Sequence, residues 1–383
     1  MKRREFVSRL GAAAGVVSVG VPAIAGGALD ATQRSQSAPS NQKPAARPKA
    51  RMVVGCQRSP TTPQMLDYFK RHAVEHINGY PSGGEEDGDG YSVDSLKRLR
   101  DECEKHGVSL EMVQFPFMSS SFVDRAKRRA IMLGEDPARQ KEIEECHQII
   151  KNCAAAGIPS IKYNMSVLGV LRTESTPGRG GSVYSTWKLA AAKDGDTLTR
   201  AGVIDADLHW ERITYFLERV VPVAEEYKVR LACHPHDPGV PPKGFRGVQR
   251  VLGTVDGLKK FVSIKESPYH GLNLCLGTTA EMLQNPNAEI HDVIRYFGER
   301  KKIFNIHFRN IKGKRDDFSE TFPDEGDMDM VKVMMTLRDV DYPYMVMPDH
   351  MPRHADDQGG NQAFAFGYGY IKALIQAVDR ITT

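Results

Sequence analysis

The sequence has few features of a nucleic-acid-binding or disulfide-stabilised protein. Its net charge is only +4 over 383 residues, and its basic residues are scattered instead of forming a stripe with interleaved aromatic side chains, which argues against a nucleic-acid partner. The six cysteines include no CxxC pair, and a chain with 40% hydrophobic residues can bury a full core without disulfides. Most of these cysteines are therefore predicted to be buried thiols.

Beyond the N-terminus the chain also lacks a run long and apolar enough to span a bilayer, so no stable membrane insertion is expected. Residues 1–30 resemble a twin-arginine signal peptide, because Arg3, Arg4 and Phe6 precede a short apolar run rich in Gly and Ala. The alternative is a membrane anchor, which the glycine content disfavours. The sequence thus predicts an exported, periplasmic protein.

Two further segments follow the predicted signal. Residues 31–50 are rich in Ser, Gln, Pro and Ala and have few large apolar groups, so they are predicted to form a disordered linker. Residues 51–383 are predicted to form one catalytic domain.

Within this domain, short β-rich runs alternate eight times with longer amphipathic stretches. The predicted strands are at 52–57, 74–80, 109–115, 160–164, 229–235, 272–277, 303–310 and 344–350. Alternation of this kind favours parallel strands with crossover helices, closed as a single (β/α)₈ barrel of the α/β class. The alternative, a doubly wound open sheet, is disfavoured because GCQRSP follows the first strand where a glycine-rich phosphate turn is expected.

The last four predicted strands each end in a side chain that can bind a metal ion. His234 and His236 follow the fifth strand, and the later ones carry Cys275, His307 and the pair Asp349 and His350. In a barrel of parallel strands these ends meet at one mouth, where active sites lie. A thiolate, two imidazoles and a carboxylate suit Mn²⁺, Fe²⁺, Co²⁺ or Zn²⁺ better than Mg²⁺.

Other polar residues near the strand ends are candidates for binding a substrate. Arg172 and Arg309 could hold a carboxylate in a bidentate pair. Asn164, His236 and Asp237 are candidate hydrogen-bonding groups at the same mouth.

With these motifs in view, the sequence resembles the mannonate dehydratase family of xylose-isomerase-like barrels. The resemblance runs through EKHGVSLEMV, YNMSVLGVLRT, HPHDPG, LCLG, IHFRNIKG, GDMDMVKVMMTL and PDH, in this order. It implies dehydration of the sugar acid D-mannonate to 2-keto-3-deoxy-D-gluconate, with Mn²⁺ or Fe²⁺. It also implies that the metal ligands are His234, Cys275, His307 and Asp349, and that His350 is the catalytic acid or base.

The sequence departs from the family pattern at three places. HPHDP replaces HPDDP, which puts His236 where the family has an acid, and VQFPFMSS replaces ESVPVHE. No tyrosine lies between His350 and Tyr368, where the family has one. These departures leave two alternatives open, namely a metal-dependent sugar isomerase or epimerase and a non-catalytic exported sugar-binding protein. Whether the chain forms a homo-oligomer is also open.

Overall fold

A computed structural model describes residues 48–82, 89–195 and 198–381. The predicted signal peptide and the linker up to residue 47 lie outside the described residues. No helix in the described part of the chain combines the length and the apolar character needed to cross a bilayer.

The domain is a closed barrel of eight parallel strands, as the sequence predicts. Its strands in chain order are β1 (Val53–Cys56), β2 (His76–Asn78), β3 (Ser109–Gln114), β4 (Ser160–Asn164), β8 (Arg230–His234), β9 (His270–Cys275), β10 (Ile303–His307) and β13 (Met345–Met347). Successive barrel strands are neighbours, and β13 pairs with β1 to close the ring. All eight predicted strands are present, which confirms the (β/α)₈ fold.

The helices follow the strands along the chain. The described helices are α1 (Pro63–Arg71), α2 (Val93–Lys105), α3 (Ala130–Leu133), α4 (Ala138–Ala156), α5 (Ala206–Tyr227), α6 (Val255–Ser263), α7 (Leu276–Ala280), α8 (Pro286–Glu299), α9 (Met330–Asp339) and α10 (Asn361–Arg380). Local sequence sets their ends. Asp205, for example, accepts a hydrogen bond from the backbone N–H of Leu208 at the start of α5, and Gly157 ends α4 with φ of 76°.

The barrel interior changes from apolar to polar along the strand direction. A buried cluster of Met112, Ala232, Phe304, Met345 and Met347 fills it. Side chains two residues apart on a strand point to the same face, so Ala232 and His234 both face inward. The alternating residues Leu231 and Cys233 belong to the main hydrophobic core instead. The apolar filling therefore gives way to ligand-capable side chains at the C-terminal ends of the strands.

Five short strands outside the barrel were not predicted from the sequence. The strands β7 (Thr186–Lys188), β11 (Asn310–Lys314) and β12 (Asp317–Thr321) form an antiparallel sheet, and β5 (Thr176–Pro177) pairs with β6 (Val183–Tyr184). The strand predicted at 303–310 is in fact two strands, because β10 ends at His307 and β11 begins at Asn310. These additions follow β4 and β10 and therefore arise at the mouth of the barrel.

Candidate metal centre and active site

The structure brings together the four residues expected to bind a metal ion. His234, Cys275 and His307 are the last residues of β8, β9 and β10, and Asp349 lies two residues after β13. One possible ligand atom from each lies within 4.8 Å of every other. Cys275 and His307 are direct partners in the pairing of β9 with β10, so the strand register itself sets them side by side.

The protonation states of these four side chains are suited to binding a cation. Burial lowers the pKa of His234 well below its usual range and also lowers the pKa of His307, so both imidazoles are neutral. Burial raises the pKa of the Cys275 thiol, and the nearby charge of a bound cation would oppose that shift. For Asp349 burial acts to raise the pKa, but His307 and His350 outweigh it and lower the pKa well below its usual range.

Hydrogen bonding leaves a nitrogen of each histidine available. The Nδ1 of His234 lies 2.7 Å from the carbonyl oxygen of Pro235, which directs Nε2 into the cluster. The buried Nδ1 of His307 makes no hydrogen bond within the described residues and lies 3.3 Å from Oδ1 of Asp349. Ligands about 2.0–2.3 Å from one ion lie no more than roughly 4.6 Å apart, close to the observed spacing. The residues therefore fit a divalent metal ion.

A polar cavity of about 90 Å³ adjoins this cluster. Asn164 and Asp237, both predicted to bind substrate, line it together with His350. Four further polar residues of the cavity wall were missed by the sequence analysis, namely Gln57, Ser120, Lys162 and Ser166.

One of these wall residues is a buried lysine, Lys162. Its side chain is buried on β4, and its Nζ donates a hydrogen bond to Oε1 of Gln57 at 2.9 Å. A cation in this position can bind the carboxylate of a sugar acid. The sequence signal that could have revealed this role is a lysine in the strand SIKYN, whose other residues are suited to burial.

His350 lies at the edge of the cavity with its side chain 40% exposed. Its Nδ1 is 2.8 Å from Oε1 of Glu320 on β12, and its Nε2 has no hydrogen-bond partner among the residues that the structure describes. Burial lowers the pKa of His350, but the carboxylates of Asp349 and Glu320 outweigh it and raise the pKa to about 9. The imidazolium Nδ1–H then donates to Glu320, and Arg309 Nη1 lies 2.6 Å from the same nitrogen.

Arg172 and Arg309, expected to bind a substrate carboxylate, are instead engaged by the protein. Both guanidinium groups pair with Asp237 and Glu320, and neither lines the metal cavity. The Arg309 side chain is only 1% exposed. These arginines hold the mouth of the barrel together and do not reach the cavity.

Glu281 adds a third carboxyl to this buried group. It lies 3.3 Å from Arg309 and 3.8 Å from Arg172, yet neither of its oxygens makes a hydrogen bond within the described residues. Asp237 and Glu320 already neutralise the two arginines, so a charge on Glu281 would be uncompensated. Burial and the Asp237 charge accordingly raise the pKa of Glu281 to about 8, despite the nearby arginines.

His236, predicted to face the substrate, lies in the protein interior. It is 1% exposed, its Nε2 donates to the carbonyl oxygen of Met165 at 2.9 Å, and its ring stacks on His209. Burial lowers the pKa of His236 well below its usual range, so it is neutral. It therefore supports the loop after β8 and brings no charge to the cavity.

Comparisons with known proteins identify the family. Residues 186–382 match the family model for D-mannonate dehydratase. Mannonate dehydratase of Thermotoga petrophila is 28% identical over 333 residues, which cover 77% of this chain and 88% of that protein. The enzyme of Endomicrobium trichonymphae is 29% identical over 336 residues, with 77% and 87% covered.

A solved structure supports the same fold. Mannonate dehydratase from Streptococcus suis serotype 2 aligns with a TM-score of 0.72 at 24% identity, covering 87% of this chain and 94% of that one. Together with the family match over half of the sequence, this agrees with the resemblance inferred from the motifs. The chain belongs to the mannonate dehydratase family and is an enzyme of the hydro-lyase class.

Proposed function

We propose that this protein dehydrates D-mannonate to 2-keto-3-deoxy-D-gluconate, using a divalent cation held by His234, Cys275, His307 and Asp349. The observation that carries the proposal is the convergence of these four side chains next to a polar cavity that is lined by His350 and Lys162. The family supplies the reaction type, and the cavity supplies groups for a sugar acid. The isomerase and sugar-binding alternatives have no comparable support.

Mn²⁺ and Fe²⁺ are the proposed metals. A donor set with sulfur, nitrogen and oxygen atoms suits these ions, whereas Mg²⁺ prefers oxygen ligands. When bound, the ion supplies a Lewis acid that stabilises negative charge developing on the substrate carboxylate and α-hydroxyl.

The protein residues orient the substrate and move the proton. Lys162 donates to the substrate carboxylate, and Asn164 donates to or accepts from a hydroxyl. Nε2 of His350, in its neutral form, takes the proton from C2, the electrons of the C2–H bond form the C2–C3 double bond, and the C3–O bond breaks. The imidazolium gives this proton to the leaving hydroxyl, which departs as water, while Glu320 holds the Nδ1–H of His350. The resulting enol becomes the ketone by taking a proton at C3.

The missing tyrosine is not replaced by Tyr368. The Tyr368 hydroxyl is buried and lies 2.8 Å from Sγ of Cys56, and Tyr368 does not line the metal cavity. In this proposal His350 therefore serves without a tyrosine partner from that segment.

The proposal is tested by incubating the purified, metal-loaded chain with D-mannonate and a panel of other aldonic acids. We expect a 2-keto-3-deoxy acid with Mn²⁺ or Fe²⁺, loss of product after chelation, and no product from the H350N variant with its metal content unchanged. An isomeric sugar acid formed without loss of water would contradict the proposal.

We also propose export to the periplasm by the twin-arginine signal of residues 1–30. The signal type suits a metal-loaded enzyme, because this route carries folded proteins. The expected result is that replacing Arg3 and Arg4 by lysine retains the protein in the cytoplasm, measured by cell fractionation. Unchanged periplasmic recovery would contradict it.

A further inference from the structure

A second and much larger cavity adjoins the metal cavity. Its volume is about 920 Å³, roughly ten times that of the metal cavity, and lies at the upper end of the range typical for small-molecule sites. Val170 lines both cavities. Arg172 lines the larger one while it pairs with Asp237 in the wall of the metal cavity. The two spaces therefore share a wall at the barrel mouth.

The wall of the larger cavity is strongly cationic. Besides Arg172 it carries Arg125, Lys188, Lys193 and Arg246, against the single acid Glu174. Lys188 and Lys193 are exposed, and no ion pair to either is found in the part of the chain that the structure describes. Their charge is available to a ligand.

The same cavity offers aromatic surface. The guanidinium carbons of Arg125 and Arg246 lie 4.9 and 6.0 Å from the ring centre of Phe122. Trp187 and Phe245 also line the cavity, but they are only 2% and 5% exposed and pack edge-on against each other, with ring centres 5.5 Å apart. The half-buried ring of Phe122 can therefore pack against the C–H groups of a sugar, and the cations attract anions.

We propose that this cavity binds the distal part of a sugar acid that carries a second anionic group. The acid's own carboxylate lies near Lys162, and its far end reaches toward Lys188 and Lys193. The second anion is the carboxylate of an attached uronic acid unit or a terminal phosphate. The inference rests on the proposed function and extends the substrate class of that site from D-mannonate to sugar acids with a second anionic group.

The test uses sugar acids that bind but cannot react. The 3-deoxy analogue of mannonate lacks the hydroxyl that is expelled, and it is compared with its 6-phosphate and with its uronosyl derivative. Affinities for the metal-loaded full chain are measured by titration calorimetry. Since ion pairs to exposed lysines contribute modestly to binding, a dianionic analogue that makes two of them should bind about twofold to 30-fold more tightly than the monoanion. The preference should shrink in high salt.

Variants localise the effect to the cavity. We expect the double variant K188A/K193A to lose most of the preference for dianionic analogues while its affinity for the monoanion is unchanged. K372A removes an exposed lysine of α10, outside this cavity wall, and should behave as wild type. The analogue with the larger preference identifies the source of the second anion.

Equal affinities of the wild type for mono- and dianionic analogues would overturn the inference, as would an equal loss for both in K188A/K193A. Because binding is measured without turnover, the result is independent of the reaction. A dianion preference without dehydration of any aldonic acid would leave the cavity assignment standing and reject the proposed function.

Discussion

Replacing Lys162 by methionine tests how the active site recognises a sugar acid. The change keeps the length of a side chain that is 5% exposed and removes its charge and its hydrogen bond to Gln57. A hydrogen bond to a charged group contributes about 1.5–3 kcal/mol, so kcat/KM for mannonate should fall about 10- to 150-fold. Steady-state kinetics with the metal-loaded variant measures this loss.

The same substitution should not weaken metal binding, in contrast to its effect on kcat/KM. The charge of Lys162 lowers the pKa of both His234 and His307, after the larger effect of burial. It therefore also opposes a cation beside these histidines. We expect the affinity of K162M for Mn²⁺ to be unchanged or tighter, as measured by competition with a chelating dye.

Lys302 provides a matched control. It is another buried lysine, but it precedes β10 at the opposite end of the barrel and donates to the carbonyl oxygen of Ser267 at 2.7 Å. K302M should lower stability and leave the KM for mannonate unchanged. If K162M retains wild-type kcat/KM, or if its loss of activity parallels a loss of bound metal, Lys162 does not bind the substrate carboxylate.

Three further predictions concern the metal cluster and the buried charges. C275S should weaken binding of Fe²⁺ and Mn²⁺, because a serine hydroxyl is a poorer anionic ligand; undiminished metal content after dialysis would contradict the ligand assignment. R309M leaves Asp237 and Glu320 without one of their two buried cations, which should cost about 3–5 kcal/mol. For a domain of about 330 residues, this loss of stability lowers Tm by roughly 4–7 °C. The control variant R179M breaks the exposed pair of Arg179 with Asp324 and should leave Tm nearly unchanged. Equal shifts of Tm in R309M and R179M would contradict this prediction. The pKa of Glu281 is about 8 in the folded protein, compared with an ordinary value of 4.5. Because the folded state holds this proton more tightly than the unfolded state, the free energy of unfolding falls as the pH rises from about 4.5 to 8. E281Q should therefore gain about 1–3 kcal/mol over wild type between pH 5 and pH 7 in urea unfolding, and a constant difference would show that Glu281 is ionised.

The barrel and its metal cluster were accessible from the sequence because both follow from local pattern and topology. Each barrel strand is a short apolar run, and parallel closure brings the ends of β8, β9, β10 and β13 together. His234, Cys275, His307 and Asp349 therefore converge without any knowledge of side-chain conformation.

The contacts of Arg172, Arg309 and His236 could not be predicted from the sequence in the same way. Their positions depend on partners distant in sequence, such as Glu320, which lies 148 residues beyond Arg172 on a strand that the sequence did not reveal. The polar segment from Asn310 to Thr321 has the composition of a loop, although it pairs as β11 and β12. Lys162 was missed because a strand lysine was read as part of the β pattern and not as a buried charge.

The most direct test of the dehydratase assignment is turnover of D-mannonate in D₂O, followed by NMR. We predict a 2-keto-3-deoxy acid that carries one deuterium at C3, because the enol formed by loss of water takes its proton from solvent. The H350N variant should yield none. Recovery of an intact sugar acid with deuterium at C2, or of an isomer that has kept all its oxygens, would contradict it.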